Sequence, residues 1–104
     1  MPEATALHAR ALLDHQANAI VSRTLIKTPT STLTVFAFDG GQALSEHTAP
    51  FDAVLHLLEG EAEVSIGGQP ILLTAGQLIL MPANVPHAVT ATSPMKMLLT
   101  MFRS

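Results

Sequence analysis

Two stretches decide how this 104-residue chain is read: Gly41–Gly60, GQALSEHTAPFDAVLHLLEG, and Gly76–His87, GQLILMPANVPH. Each opens on a glycine, and the first also closes on one. A residue without Cβ suits the tight turns that join short strands. Between the glycines lie the apolar runs Val54–Leu58 and Leu78–Met81. They are too short for an ordinary helix and are bounded by turn residues, which reads as strand. In the second stretch Pro82 and Pro86 rigidify a loop that delivers His87 to a strand start. Asn84 stands between them and tolerates a positive φ.

The same rhythm continues outward. Further turn signals are Asp39-Gly40-Gly41, Thr48-Ala49-Pro50, Glu59-Gly60-Glu61, Gly67-Gly68, Ala75-Gly76 and Ser93-Pro94. The segments between them, Ala62–Ile66, Ile71–Leu73 and Met95–Phe102, are again short and apolar. The Gly67-Gly68 pair suits a two-residue hairpin. Upstream, Ala19–Lys27 and Thr32–Phe38 are rich in β-branched and aromatic residues, with Thr28-Pro29-Thr30-Ser31 as their turn. Many short strands at regular spacing predict an all-β sandwich or barrel. Val54–Leu58 and Met97–Leu99 are apolar on both faces, which predicts cover on both sides. Only residues 3–15 read otherwise: Leu7, Ala11 and Leu12 fall near one face of a short helix, with Glu3 in its first turn. The expected organisation is one domain, a helical or extended segment over 1–18 and a barrel over 19–104.

Composition narrows the function. Hydrophobic residues make up 48% of the chain and charged residues only 12%, enough for a core and too little charge for disorder. So few charges suggest that some surface is covered by another subunit. The net charge is −3, and the five Lys and Arg are scattered, a poor footprint for nucleic acid. With no cysteine there is no thiolate site, disulfide or Cys nucleophile. The N-terminus lacks the basic start and apolar run of a secretion signal. No apolar run approaches the roughly 20 residues that span a bilayer, so a cytoplasmic location with no membrane partner is expected. No Gly-x-Ser-x-Gly elbow, phosphate loop or dinucleotide fingerprint is present.

The two quoted stretches resemble the two motifs of the cupin superfamily, in particular its small single-domain, RmlC-like bacterial members. The first motif reads G-x5-H-x-H-x3,4-E-x6-G. Gly41, His47 and Gly60 match it; its second His falls on Ala49 and its Glu on Ala53. The second motif reads G-x5-P-x-G-x2-H-x3-N. Gly76, Pro82 and His87 match it, while Asn84 takes the glycine position and Ala91 the final Asn. The resemblance implies a jelly-roll barrel (a double-stranded β-helix) with a short N-terminal helix. It also implies a homodimer, formed by strand exchange or sheet extension. Cupins that bind metal use the two His and the Glu of the first motif and the His of the second. Here two of those four remain.

His47 and His87 are therefore the leading site residues, expected to face each other at the barrel mouth, with Ala49 and Ala53 widening an apolar pocket beside them. Imidazole is a common ligand of divalent transition metals such as Zn, Ni, Fe or Mn. A catalytic zinc site usually has three protein ligands, so two alone predict weak binding or none. Asp52 could supply a carboxylate if the loop slipped by one residue. His56 is a further candidate, but it lies three residues from the Glu position. Side chains alternate along a strand, so this odd offset turns it to the other face. His8 and His15 read as surface residues of the N-terminal helix. Met81, Met95, Met97 and Met101 are flexible apolar filler that suits a permissive pocket. Glu59, Glu61 and Glu63 read as a solvated strand face. The reading that follows is a small cupin that binds a small molecule in its barrel. The alternatives are a metal-dependent oxygenase or isomerase, built on His47, His87 and a third ligand, and a ligand-sensing or interaction module.

Overall fold

The computed structural model describes residues 1–103. Nine strands follow one another: β1 (Ile20–Lys27), β2 (Ser31–Phe38), β3 (Ala43–His47), β4 (Asp52–Glu59), β5 (Glu61–Ile66), β6 (Gln69–Thr74), β7 (Leu78–Met81), β8 (His87–Ala91) and β9 (Met95–Phe102). They form two antiparallel sheets, β1-β2-β9-β4-β7 and β3-β8-β5-β6. This crossed strand order is that of a jelly roll.

Turn chemistry sets the frame. Gly67 and Gly68 both have positive φ and close the β5–β6 hairpin, with Ile66 opposite Gln69. Gly60 joins β4 to β5 at φ 79°; a Cβ there would overlap the Pro94 carbonyl oxygen and lie 2.8 Å from the Met95 Cβ. Only glycine fits that corner.

The sheets bury their facing sides. On β9, Met95 and Met97 point inward, followed by Leu99 and Met101; β2 sets Phe38, Phe36, Thr34 and Thr32 against them in register. Leu55 and Leu57 of β4, Val64 of β5 and Val89 of β8 complete the core. Burial is graded along the barrel. Phe38, Leu57, Met95 and Met97 close one end, whereas Leu99, Met101, Ile66 and Ile79 at the other are only partly buried. The turns after β3, β5 and β7 all lie at this second, more open end.

The N-terminal segment is not the expected helix. One 3-10 turn, Ala9–Ala11, is the whole of its helical structure. Ala4 has a positive φ, His8 offers no side-chain cap, and no acid occupies the first turn, so Glu3 lies outside it. So short a helix has little intrinsic stability. Instead the segment is a strap tied to the outside of the larger sheet. The Met1 amine donates to the Leu25 carbonyl (3.3 Å), Lys96 Nζ to the Arg10 carbonyl (2.7 Å), and His15 Nε2 to the Met95 carbonyl (3.0 Å). At its end the Asn18 N–H donates to the Asp39 carboxylate (2.6 Å) and the Gly40 N–H does likewise (2.9 Å); these bonds hold the Asp39 carboxyl below its ordinary range. The strap's 3-10 turn packs on β4, and Val35 and Ala37, which face outward on β2, are completely buried. The strap leaves the outward residues of β7 and the end of β9 uncovered. No helix is long and apolar enough to cross a membrane.

Candidate functional site

His87 opens β8. The loop before it is pinned on three sides. The Ala83 N–H donates to Asp52 Oδ1 (2.8 Å), the Asn84 N–H to the Ala49 carbonyl (2.8 Å), and the Gly67 N–H to the Pro86 carbonyl (2.8 Å). Asn84 does adopt positive φ, at 62°. His87 is only 7% exposed and pairs across the sheet with Ile66 on one side and His47 on the other.

His47 reaches that position through a break in register. Leu44 lies opposite Val89, but His47 lies opposite His87, so three residues of β3 span two of β8. Without this bulge the inward partner of Leu44 would be Glu46, and His47 would face solvent. The bulge re-aims the ring, and the His47 Nδ1–H donates to the carbonyl of Ser45 within it (2.8 Å).

The rings meet edge to face, with centroids 4.3 Å apart at 66°. Their Nε2 atoms are 3.1 Å apart. The His87 Nδ1 faces the Val85 carbonyl at 3.3 Å. A carbonyl only accepts, so a proton on each Nδ1 satisfies both contacts. Both Nε2 atoms then carry lone pairs at hydrogen-bond distance from each other. Two lone pairs 3.1 Å apart need something electrophilic between them: a shared proton, a donor group of a ligand, or a metal ion. For metal–nitrogen bonds of about 2.0–2.1 Å, this separation subtends about 98° at the ion, between octahedral and tetrahedral values. A ring N–H donating to a backbone carbonyl is also how ligating histidines are commonly held. The pair fits half of a metal site.

The other half is not supplied by the chain. Among the described residues no group of three His, Cys, Asp or Glu is placed to hold an ion. Asp52, the carboxylate considered above, is spent on the Ala83 N–H and begins β4 on its outer side. His56 lies on that same outer side, flanked in register by Leu78 and Leu98, where it lines a cavity of about 540 Å³ with His8, Arg10 and Glu59. The two alanines lie on the mouth side. Ala53 is buried between Met81 and Met101 on the inner face, and Ala49 is half-buried in the β3–β4 loop.

One polar group at this end escaped sequence reading. Thr32 is 6% exposed, and its Oγ1 is the only buried side-chain oxygen or nitrogen without a partner among the described residues. It faces inward beside Met101, in the same row as Ala53 and Met81. The alternation Thr32, Thr34, Phe36, Phe38 could have placed it there. The mouth end therefore carries two imidazoles on one sheet, a hydroxyl on the other, and apolar side chains around them.

The cupin domain model matches residues 34–101. The chain belongs to the cupin family. Among solved structures, this cupin is similar to a conserved protein of unknown function from Streptococcus pyogenes, at 33% identity and a TM-score of 0.94, covering 100% of this chain and 91% of that one. It is also similar to a cupin superfamily protein from Desulfitobacterium hafniense, at 25% identity and 0.93, covering 100% and 95%. KdgF from Halomonas sp. shares the fold at 22% identity and 0.76, covering 88% and 86%. A search of curated proteins returns no significant match. The small RmlC-like jelly roll read from the two motifs is thus the fold observed, with the N-terminal helix reduced to one 3-10 turn.

Proposed function

We propose that this cupin binds a small, largely apolar molecule in the open end of its barrel, with the polar end of the molecule held by His47 and His87. The observation that carries this reading is the convergence of the two Nε2 atoms at 3.1 Å, each ring anchored through its other nitrogen. The surrounding walls, Ala53, Met81 and Met101, are small or adaptable and carry no charge. Apolar walls with a few convergent polar groups are the usual make-up of a small-molecule site.

The bite of the histidine pair favours a second reading, a metal-dependent enzyme. There His47 and His87 would hold a divalent transition metal, and the substrate and water would complete its coordination. A bound ion of this kind supplies Lewis-acid or redox chemistry. The chain's own part would be to orient the ion through the Ser45 and Val85 carbonyls and to exclude water with the apolar walls.

Calorimetric titration of untagged, chelator-treated protein with Zn²⁺ separates the readings. The binder reading expects weak uptake, with affinity lost in both His47→Ala and His87→Ala. Tight binding of one equivalent that survives purification would move the conclusion to the enzyme. Uptake unaffected by either substitution would remove the histidine pair from both.

A further inference from the structure

Of the five histidines, His15, His47 and His87 have ring nitrogens bonded to the rest of the chain among the described residues. His8 and His56 do not, and both line the cavity of about 540 Å³ between the strap and β4. That cavity is on the outer side of the larger sheet, whereas the His47–His87 pair belongs to the other sheet. Its size falls within the roughly 300–1,000 Å³ of small-molecule sites. A break in register builds one wall. Between Leu57 and Glu59 β4 slips, so that Glu59 rather than Leu58 lies opposite Lys96. Under unbroken alternation Glu59 would share the inner face with Leu55 and Leu57. The bulge turns it outward, onto the cavity and within 3.7 Å of Lys96 Nζ. The same lysine, its side chain 10% exposed, donates to the Arg10 carbonyl and fixes the strap side. Leu57, whose side chain is in the core, meets the cavity with its backbone. Its N–H donates to the Gln77 carbonyl (3.0 Å), and its carbonyl accepts from the Gly76 N–H (2.8 Å).

We propose that this cavity is a second binding site, for a small organic acid, with the carboxylate held by Arg10, His8 and His56. Charge selects an anion. Glu59 is matched by Lys96, but the Arg10 guanidinium has no ion-pair partner among the described residues. The cavity therefore carries one surplus positive charge before either imidazole is protonated, on a chain whose net charge is −3. A guanidinium pairs with a carboxylate through two parallel hydrogen bonds, and a neutral imidazole has one N–H to add. Among the described residues no three metal-binding side chains converge here, so an ion is not the occupant. The surroundings also select a hydrocarbon part. Leu58 lines the cavity, and His56 is flanked in register by Leu78 and Leu98. A bare phosphate would leave these side chains unused. Arg10 is exposed, so the affinity is modest and falls with added salt.

The test is a titration of the full chain with sodium hexanoate at low ionic strength, followed by backbone amide chemical shifts. Saturable shifts are expected at residues 8–11, 56–59 and 76. Arg10→Gln is expected to weaken binding about tenfold or more, as for loss of a hydrogen bond to a charged group. Arg23→Gln removes an exposed cation from β1 of the same sheet and is expected to bind as the wild type does. Inorganic phosphate is expected to bind more weakly than hexanoate. Shifts confined to the neighbourhood of His47 and His87 would put the acid at the barrel mouth alone and overturn the proposal. So would shifts that never saturate, an equal loss in the two arginine variants, or phosphate bound as tightly as hexanoate.

Discussion

Thr32 carries a hydroxyl that nothing in the barrel wall accepts. A buried hydroxyl without a partner costs about 1–3 kcal/mol. In the ligand-free protein, Thr32→Val replaces it by a methyl of similar shape, and stability in urea is expected to rise by about 1 kcal/mol. A fall of that size would instead show that the hydroxyl is bonded to a water or a bound molecule. The other residues of the mouth differ in how legible they were. His47 and His87 stood out through motif spacing. His56 could be set aside by strand parity, and the structure places it on the outer face. Asp52 could not be judged from sequence, because its role depends on a loop hydrogen bond to Ala83, 31 residues away.

At the scale of elements, seven strands were readable because apolar content and turn residues bound them. The strand β3 carries no such signal and β8 only its start at His87: ALSEH and HAVTA are short and mixed, and they are strands because neighbours on both sides, or one side, pair with them. The bulge that turns His47 inward has no sequence signature at all. The apolar spacing of the strap is helical while its anchors are tertiary, so of the helical and extended readings the segment keeps a helical turn only over Ala9–Ala11. Its central anchor is Lys96, whose side chain is only 10% exposed and lies 3.7 Å from Glu59. Removing one member of such a pair strands the other charge, and the cost is largest where the stranded charge is the buried one. Glu59 is about one-third exposed, so screening reduces the effect. Glu59→Gln is expected to cost about 1 kcal/mol. Lys96→Met is expected to cost less globally, yet to free the strap, so that trypsin cuts at Arg10 several-fold faster. Unchanged cleavage would show that the strap does not depend on this lysine.

The molecule as a whole is asymmetric along the barrel axis. One end is filled by Phe38, Leu57, Met95 and Met97, all essentially inaccessible. The other holds two imidazoles, an orphan hydroxyl and partly buried Leu99 and Met101. Burying each large apolar side chain contributes about 1.5–3 kcal/mol, so the stabilising free energy is concentrated at the closed end. Binding sites are drawn from the less stable part of a fold, where rearranging to admit a ligand is cheap. Native-state hydrogen exchange should report this division. The central strand β9, flanked by β2 and β4 over Met95–Leu99, is expected to exchange only through global unfolding. The edge strands β3 and β7 are expected to exchange faster by orders of magnitude, through local opening at the mouth. Zn²⁺ at saturating concentration should slow exchange in β3 and β8, which carry His47 and His87, and slow β9 as well, because an ion bound only to the folded chain raises the free energy of global unfolding. Equal protection of β3, β7 and β9 without metal would mean that the barrel opens as one unit, and that its open end is no softer than its core.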